Sequence, residues 1–219
     1  MTGTSAAEIG TPGKLGAVGV LGGTFDPVHH GHLRLALEVR EALGLSEVRL
    51  MPTALTNLRN AASASPDQRL DMLQRALCPG LRLDDREVRR GGRSYTIDTL
   101  IELRRELGDR ALCFILGADA WNGLPRWHRW QELANYAHLV VATRPGVVLQ
   151  EIPELAHTAR NSAAELLAQP AGGVLQVRIP LLPISSTDLK ARLRSGRAID
   201  HLTPTAVVEF IAGHGLYRD

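Results

Sequence analysis

The sequence predicts an α/β fold, a doubly wound and mostly parallel sheet, and three features carry that expectation. Short apolar runs without alternation, Val18 to Leu21, Ala111 to Leu116 and His138 to Ala142, read as strands buried on both faces. Stretches of helical period lie between them, the pattern of parallel strands joined by helical crossovers. Each run also stops where the chain must turn, at Gly22-Gly23, at Gly117 and just before Arg144-Pro145-Gly146.

After the first strand, Leu33, Ala36, Leu37, Val39 and Leu43 fall on one helical stripe, and Gly44 is a natural stop. Glu47 to Met51 reads as a second strand, and Pro52 opens a polar loop that runs to Ser65. Ser65-Pro66-Asp67 starts a helix with Leu70, Leu73 and Leu77 inward, ended by Pro79-Gly80. A strand follows at Leu81 to Leu83, then a turn at Gly91-Gly92. Thr96 to Leu107 is helical, with Ile97, Leu100, Ile101 and Leu107 apolar. Beyond the strand ending at Ala142, a helix is expected from Pro153 to Leu167 and a strand from Val174 to Ile179. Helices from Ser186 to Arg194 and from Pro204 to Gly213 complete the chain, which contains no internal repeat.

A chain of 219 residues fits one domain over 14–219, behind a small, polar tail at 1–13 that is expected to be disordered and lacks the apolar stretch of a signal peptide. The 25 basic and 23 acidic side chains leave a formal net charge of +2, too little for sequence-independent binding of nucleic acid. No apolar run approaches the 18 or so residues of a membrane span. Cys78 and Cys113 are too few for a disulfide framework and wrongly spaced for a cysteine zinc site, which fits a reducing cytoplasm. Only Lys14 and Lys190 are lysines, so a lysine inside the fold needs its own explanation.

In an open parallel sheet, ligands sit beyond the carboxyl ends of the strands, where strand order reverses. The loop Gly22-Gly23-Thr24-Phe25-Asp26-Pro27-Val28-His29-His30-Gly31-His32 lies at such an end. Its glycines let backbone approach a ligand, and the following helix N-terminus favours phosphate. It is neither a dinucleotide fingerprint nor a Walker loop. His29 and His32, three apart, share one side of the first helical turn and can donate to a phosphoryl group. A metal pair or plain helix capping are the alternatives; zinc lacks an evident third ligand, so no metal site is assigned.

Gly22 to His32 resembles the phosphate loop and His-containing signature of the nucleotidyltransferase superfamily, and Ile184-Ser185-Ser186-Thr187-Asp188-Leu189-Lys190 resembles its second signature. Between them, Ser94 to Leu100, Gly117-Ala118-Asp119, Pro125-Arg126-Trp127 and Arg144-Pro145-Gly146 are similar in order and spacing to the bacterial nicotinate-nucleotide adenylyltransferases, from about Gly19 to Tyr217. The resemblance implies a Rossmann-like nucleotidyltransferase fold and an enzyme of NAD biosynthesis that transfers AMP from ATP to nicotinate mononucleotide. The products are deamido-NAD and pyrophosphate, formed by direct in-line attack of the acceptor phosphate, with Mg²⁺ bound to the ATP phosphates. It further implies a catalytic set of His32, His29 and Lys190. ATP contacts fall to Gly22, Gly23, Thr24, Phe25, His29, His32, Gly117, Asp119, Ser185, Ser186 and Thr187. The acceptor nucleotide falls to Tyr95, Thr96, Asp119, Trp127 and Arg144.

Plainer roles stand beside these: Trp121, Trp127 and Trp130 as core, Asp119 as a helix cap, Arg144 as a surface arginine. Trp127 stands apart because it lies in a loop after a strand end, whereas Trp130 starts a helix. His201 and His214 are expected on the surface. Two departures from the family pattern matter. Lys190 replaces the family arginine, keeping the charge but losing the bidentate fork, so either it binds phosphates as a point charge or Arg192 or Arg194 takes over. In the loop after Pro52, Thr56-Asn57-Leu58-Arg59 replaces a Pro-Pro-His-Lys/Arg pattern. Another acceptor, phosphopantetheine or nicotinamide mononucleotide, and a nucleotide-binding regulator without turnover are the competing readings. The oligomeric state is left open.

Overall fold

The computed structural model describes residues 16–54, 63–144, 146–180 and 182–218. The expected tail at 1–13, and the Thr56 to Arg59 part of the loop after Pro52, lie outside the described residues.

Six strands, β1 (Val18–Gly23), β2 (Glu47–Pro52), β3 (Leu81–Leu83), β4 (Leu112–Gly117), β5 (His138–Thr143) and β6 (Val174–Arg178), form one sheet in the order β3-β2-β1-β4-β5-β6. Every neighbouring pair is parallel. Alternation within each strand feeds two cores. Val48, Leu50, Cys113, Ile115 and Val140 face one layer, and Val18, Val20, Phe114, Leu116, Leu139 and Val141 face the other.

The first core is covered by α1 (His30–Leu43) and α2 (Pro66–Ala76), together with α8 (Ser186–Arg194) and α9 (Thr205–Gly213). On α1 the buried stripe is Leu33, Ala36, Val39 and Leu43, with Leu37 half-buried, and Gly44 ends the helix in the left-handed region (φ +64°). The start of α2 is a full capping box: Ser65 Oγ accepts from the Gln68 N–H, and the Gln68 side chain accepts from the Ser65 N–H. The second core is covered by α4 (Thr96–Leu107) through Ile97, Leu100 and Leu107, as expected, and through Leu103, while Ile101 is only partly buried against it.

Three segments depart from the sequence reading. The expected helix from Pro153 to Leu167 is two pieces, a 3₁₀ stretch over Pro153–Thr158 and α7 (Ala163–Leu167), started afresh by Ser162 as N-cap. Between them Ala159 bridges to Val174, and the Arg160 N–H donates to the Val174 carbonyl, so the sheet edge captures backbone that a helix would need. A short α3 (Arg86–Arg90) precedes the Gly91-Gly92 turn and was not foreseen; its five residues are too few for a periodic signal. After β4 come α5 (Ala118–Gly123), two 3₁₀ turns and α6 (Leu133–Tyr136), again too short to read from period. Trp130 opens a 3₁₀ turn and is buried, as expected, and Trp121 is core, its indole N–H donating to the Gln150 carbonyl.

Candidate active site

Strand order reverses between β1 and β4, and a cleft of about 830 Å³ opens at their carboxyl ends. Gly22, Gly23 and Thr24 line it from the β1 loop, and Leu116, Gly117 and Ala120 from the β4 end. Tyr95, Thr96 and Trp127 close its far side. Of the residues assigned from sequence, Gly22, Gly23, Thr24 and Gly117 for ATP and Tyr95, Thr96 and Trp127 for the acceptor line this cavity, whereas Phe25, His29, His32, Asp119, Ser185, Ser186 and Thr187 do not.

The β1 loop is held in an unusual path. Phe25 takes a left-handed backbone (φ 49°) with its side chain buried, and the Asp26–Pro27 peptide is cis. His29 then serves as backbone N-cap of α1, without a side-chain cap bond. Its ring stacks on His32 at 3.7 Å between centroids, and Phe25 meets the His32 ring edge-on at 4.9 Å. The Nδ1 atoms of both histidines are buried without a hydrogen-bond partner. Burial, with the neighbouring His30, lowers the His29 pKa to about 4, and burial with His29 alongside lowers that of His32 well below the ordinary value. Both rings are thus neutral near pH 7, polar and unsatisfied, at the point where a helix N-terminus favours phosphate. Capping does not explain this pair. Among the described residues no cluster of three or more His, Cys, Asp or Glu gathers that could hold a metal ion.

Gly31 makes the stack possible. A Cβ there would lie 2.9 Å from His29 Nδ1 and 3.2 Å from the Ile184 carbonyl, so the motif's glycine is the space in which the His29 ring sits.

The loop is braced from the C-terminal end of the chain. The Ser186 hydroxyl donates to the Pro27 carbonyl, the Thr203 hydroxyl to the Val28 carbonyl and the His30 N–H to the Leu202 carbonyl. Ser185 caps α8 by accepting from the Asp188 N–H, and Thr187 is exposed in the first turn. The second signature is therefore in contact with the first, and the free first-turn N–H groups of α8 add donors near the loop.

Two residues that the sequence reading did not single out organise this region. Asp26 is 2% exposed and accepts from the Ser63 and Ala64 N–H groups, the Tyr217 hydroxyl and Lys190 Nζ. Burial raises its pKa, but the four hydrogen bonds together outweigh this and hold it below the usual carboxylate value. Arg69 is 1% exposed and donates to the carbonyls of Thr24, Thr53 and Ala54, tying the β1 loop to the end of β2. A polar residue in an ordinary sequence position gave no sign of either role. Glu87, also unforeseen, is buried at the cleft and accepts from the Thr99 hydroxyl at 2.8 Å.

On the acceptor side, Tyr95 is the backbone N-cap of α4 with no side-chain cap, and the Ser94 hydroxyl is buried without a partner. His128 packs on Tyr95 at 4.4 Å, and Trp127 lies edge-on to Phe114 at 6.2 Å, half-buried in the cleft wall. Arg93 and Arg126 also line this side. Asp119 is exposed in the first turn of α5 and is not its cap, which is Gly117. Arg144 is exposed beyond β5 and does not line the cleft, so the structure does not bring it to the other acceptor residues. Lys190 Nζ is directed at Asp26, 2.9 Å away, and Arg192 Nε donates to the Ala198 carbonyl. His201 and His214 are on the surface, as expected.

Residues 20–192 match the cytidylyltransferase-like family. The chain is 48% identical over 205 residues to a probable nicotinate-nucleotide adenylyltransferase of Marinobacter nauticus, covering 90% of this chain and 95% of that one. It is 48% identical over 208 residues to a protein of the same name from Aeromonas hydrophila, covering 92% and 97%. Among solved structures, the Plasmodium falciparum nicotinic acid mononucleotide adenylyltransferase complexed with NaAD shares the fold. That match has a TM-score of 0.70 at 17% identity and covers 92% of this chain and 97% of that one.

Proposed function

The chain belongs to the cytidylyltransferase-like family and, within it, to the nicotinate-nucleotide adenylyltransferases, and we infer from that membership and from the site that it transfers AMP from ATP to nicotinate mononucleotide. The products are deamido-NAD and pyrophosphate, which makes it an enzyme of NAD biosynthesis. The observation that carries this reading is the cleft itself. Its lining joins the glycine loop, which leads directly into the stacked, neutral His29 and His32, to an uncapped helix N-terminus at Tyr95 and Thr96 and to Trp127.

The attacking group is a 5′-phosphate oxygen of the acceptor, largely ionised at pH 7 because the second pKa of a phosphate ester is about 6. No side chain has to remove a proton. Rate comes from holding that oxygen in line with the α-phosphorus and from neutralising charge as pyrophosphate departs. The oxygen–phosphorus bond to the acceptor forms as the bond to pyrophosphate breaks, and the bonding electrons leave with pyrophosphate. His32 donates to the α-phosphate and His29 to the departing phosphates. The backbone of Gly22, Gly23, Thr24 and Phe25 and the start of α8 at Ser185, Ser186 and Thr187 hold the rest of the ATP phosphates. Gly117 and Asp119 at the β4 end receive the adenosine. Mg²⁺ would enter as part of the nucleotide substrate, on its phosphates, where it would neutralise charge on the departing pyrophosphate.

The pyridine ring stacks on Trp127, and its carboxylate is met by the uncapped start of α4 at Tyr95 and Thr96, where a helix N-terminus favours an anion. The free thiols of Cys78 and Cys113 fit a reducing cytoplasm, and among the described residues no helix is long and apolar enough to cross a membrane. The test is pyrophosphate release from ATP and Mg²⁺ with nicotinate mononucleotide, nicotinamide mononucleotide or phosphopantetheine. Release preferring the first supports the reading, and release only with another acceptor would replace the substrate.

A further inference from the structure

We propose that Lys190 serves ATP binding by neutralising Asp26 beneath the phosphate loop, and that its ammonium does not itself touch a phosphate. The inference rests on the reading that ATP binds at this loop.

The contact is specific. Lys190 Nζ lies 2.9 Å from Asp26 Oδ2 and 6.0 Å from the centre of the Tyr217 ring. Asp26 Oδ1 is occupied by the Tyr217 hydroxyl at 2.7 Å and the Ala64 N–H at 3.1 Å, while Oδ2 receives the Ser63 N–H at 2.8 Å and the lysine. The carboxylate therefore holds four donors, about all that its two oxygens can accept, and only one of the four carries charge. Arg69 is the other nearby cation, but its Nη1 and Nη2 donate to backbone carbonyls and its charge acts on Asp26 without a hydrogen bond between them.

Charge arithmetic then fixes what Lys190 does. Asp26 sits within the loop that wraps the most negative part of the substrate, and its side chain is 3% exposed, so water screens it little. Left alone, it would repel each phosphate placed above it. Lys190 cancels that repulsion, its own side chain being largely buried beside the carboxylate at 20% exposed. The geometry also accounts for a lysine in a chain with 25 basic residues, of which all but Lys14 and Lys190 are arginine. With Oδ1 filled by Tyr217 and Ala64, one acceptor position remains at Asp26. A point charge fits one position, whereas a guanidinium fork is matched to two.

Lys190→Met, Asp26→Asn and the double variant separate this role from direct phosphate contact. Lys190→Met leaves a buried anion unpaired and is expected to raise the ATP KM about tenfold or more with the acceptor KM unchanged. In the double variant the anion is gone as well, and the ATP KM is expected to return to within about threefold of the wild type by the same reasoning. A double variant as impaired toward ATP as Lys190→Met would overturn the proposal. A second measurement needs no variant. With lysine labelled at Nζ, the native chain offers two signals, and that of Lys190 is expected to stay in place when a non-hydrolysable ATP analogue binds. A large shift with coupling to phosphorus would overturn the proposal. Failure of the parent reading is distinct: the wild type would neither bind the analogue nor release pyrophosphate, and both would fall.

Discussion

His29 and His32 stack face to face, 3.7 Å apart and 22° from parallel, with a buried unpartnered nitrogen on each ring. Two imidazoles in this contact cannot both be protonated without repulsion, and both pKa values lie below the ordinary 6.5. In the proposed mechanism these two neutral, fixed rings are the donors that meet phosphate, and they need little reorganisation as the transition state forms.

His32→Ala is expected to lower kcat by about 10², the scale for losing one transition-state donor, with ATP affinity mostly retained. Steady-state kinetics beside ATP-analogue titration check this. Unchanged kcat would remove His32 from the chemistry.

Trp127→Ala acts on the other substrate. Loss of base–aromatic stacking is worth about 1–3 kcal/mol, so the acceptor KM should rise roughly tenfold or more while the ATP KM holds. An acceptor KM that does not move would make Trp127, already edge-on to Phe114, a wall residue only.

Gly31→Ala tests the space under the histidine stack. The added methyl would lie 2.9 Å from His29 Nδ1 and against the Ile184 carbonyl, so the His29 ring must leave its place. We expect kcat to fall about tenfold, a geometric misplacement cost, with the helix itself intact by circular dichroism. Wild-type kcat in this variant would show that the ring position is not required.

Stability should depend on pH through the same buried rings. His29, His32 and His138 all have folded pKa values below the unfolded 6.5, His138 chiefly by burial. As pH falls through 6.5, the unfolded chain takes up protons that the folded chain resists. The stabilisation is thus complete above pH 6.5 and is lost progressively toward pH 4. Asp26 and Asp84, held below their usual value against burial by hydrogen bonds and, for Asp84, by Arg86, extend the loss to lower pH. Denaturant midpoints between pH 7 and 4 measure it; a flat profile would contradict these burial effects.

The elements that the sequence revealed are those whose pattern is long or whose punctuation is chemical. Each of the β1, β4 and β5 runs has one meaning in an α/β chain, and the Leu33 to Leu43 stripe with Gly44 fixes α1 at both faces and end. The 3₁₀ turns and α3 escaped because a single turn has no period, and the Pro153 to Leu167 helix broke because Val174 offered Ala159 and Arg160 a sheet edge. In the site, His29 and His32 stood out by their spacing, whereas the role of Gly31 shows only in the fold, where its missing side chain leaves room for the His29 ring. Asp26 and Arg69 did not, since their partners lie 15 to 191 residues away along the chain, and only the folded chain shows that Lys190 faces a carboxylate.

Single-turnover reaction with ATP labelled at its α-phosphorus tests the central claim most directly. The label should pass to a dinucleotide only when nicotinate mononucleotide is present, with inversion at phosphorus and no labelled protein. Label on the protein, retention of configuration, or release of AMP without acceptor would contradict direct transfer in this cleft.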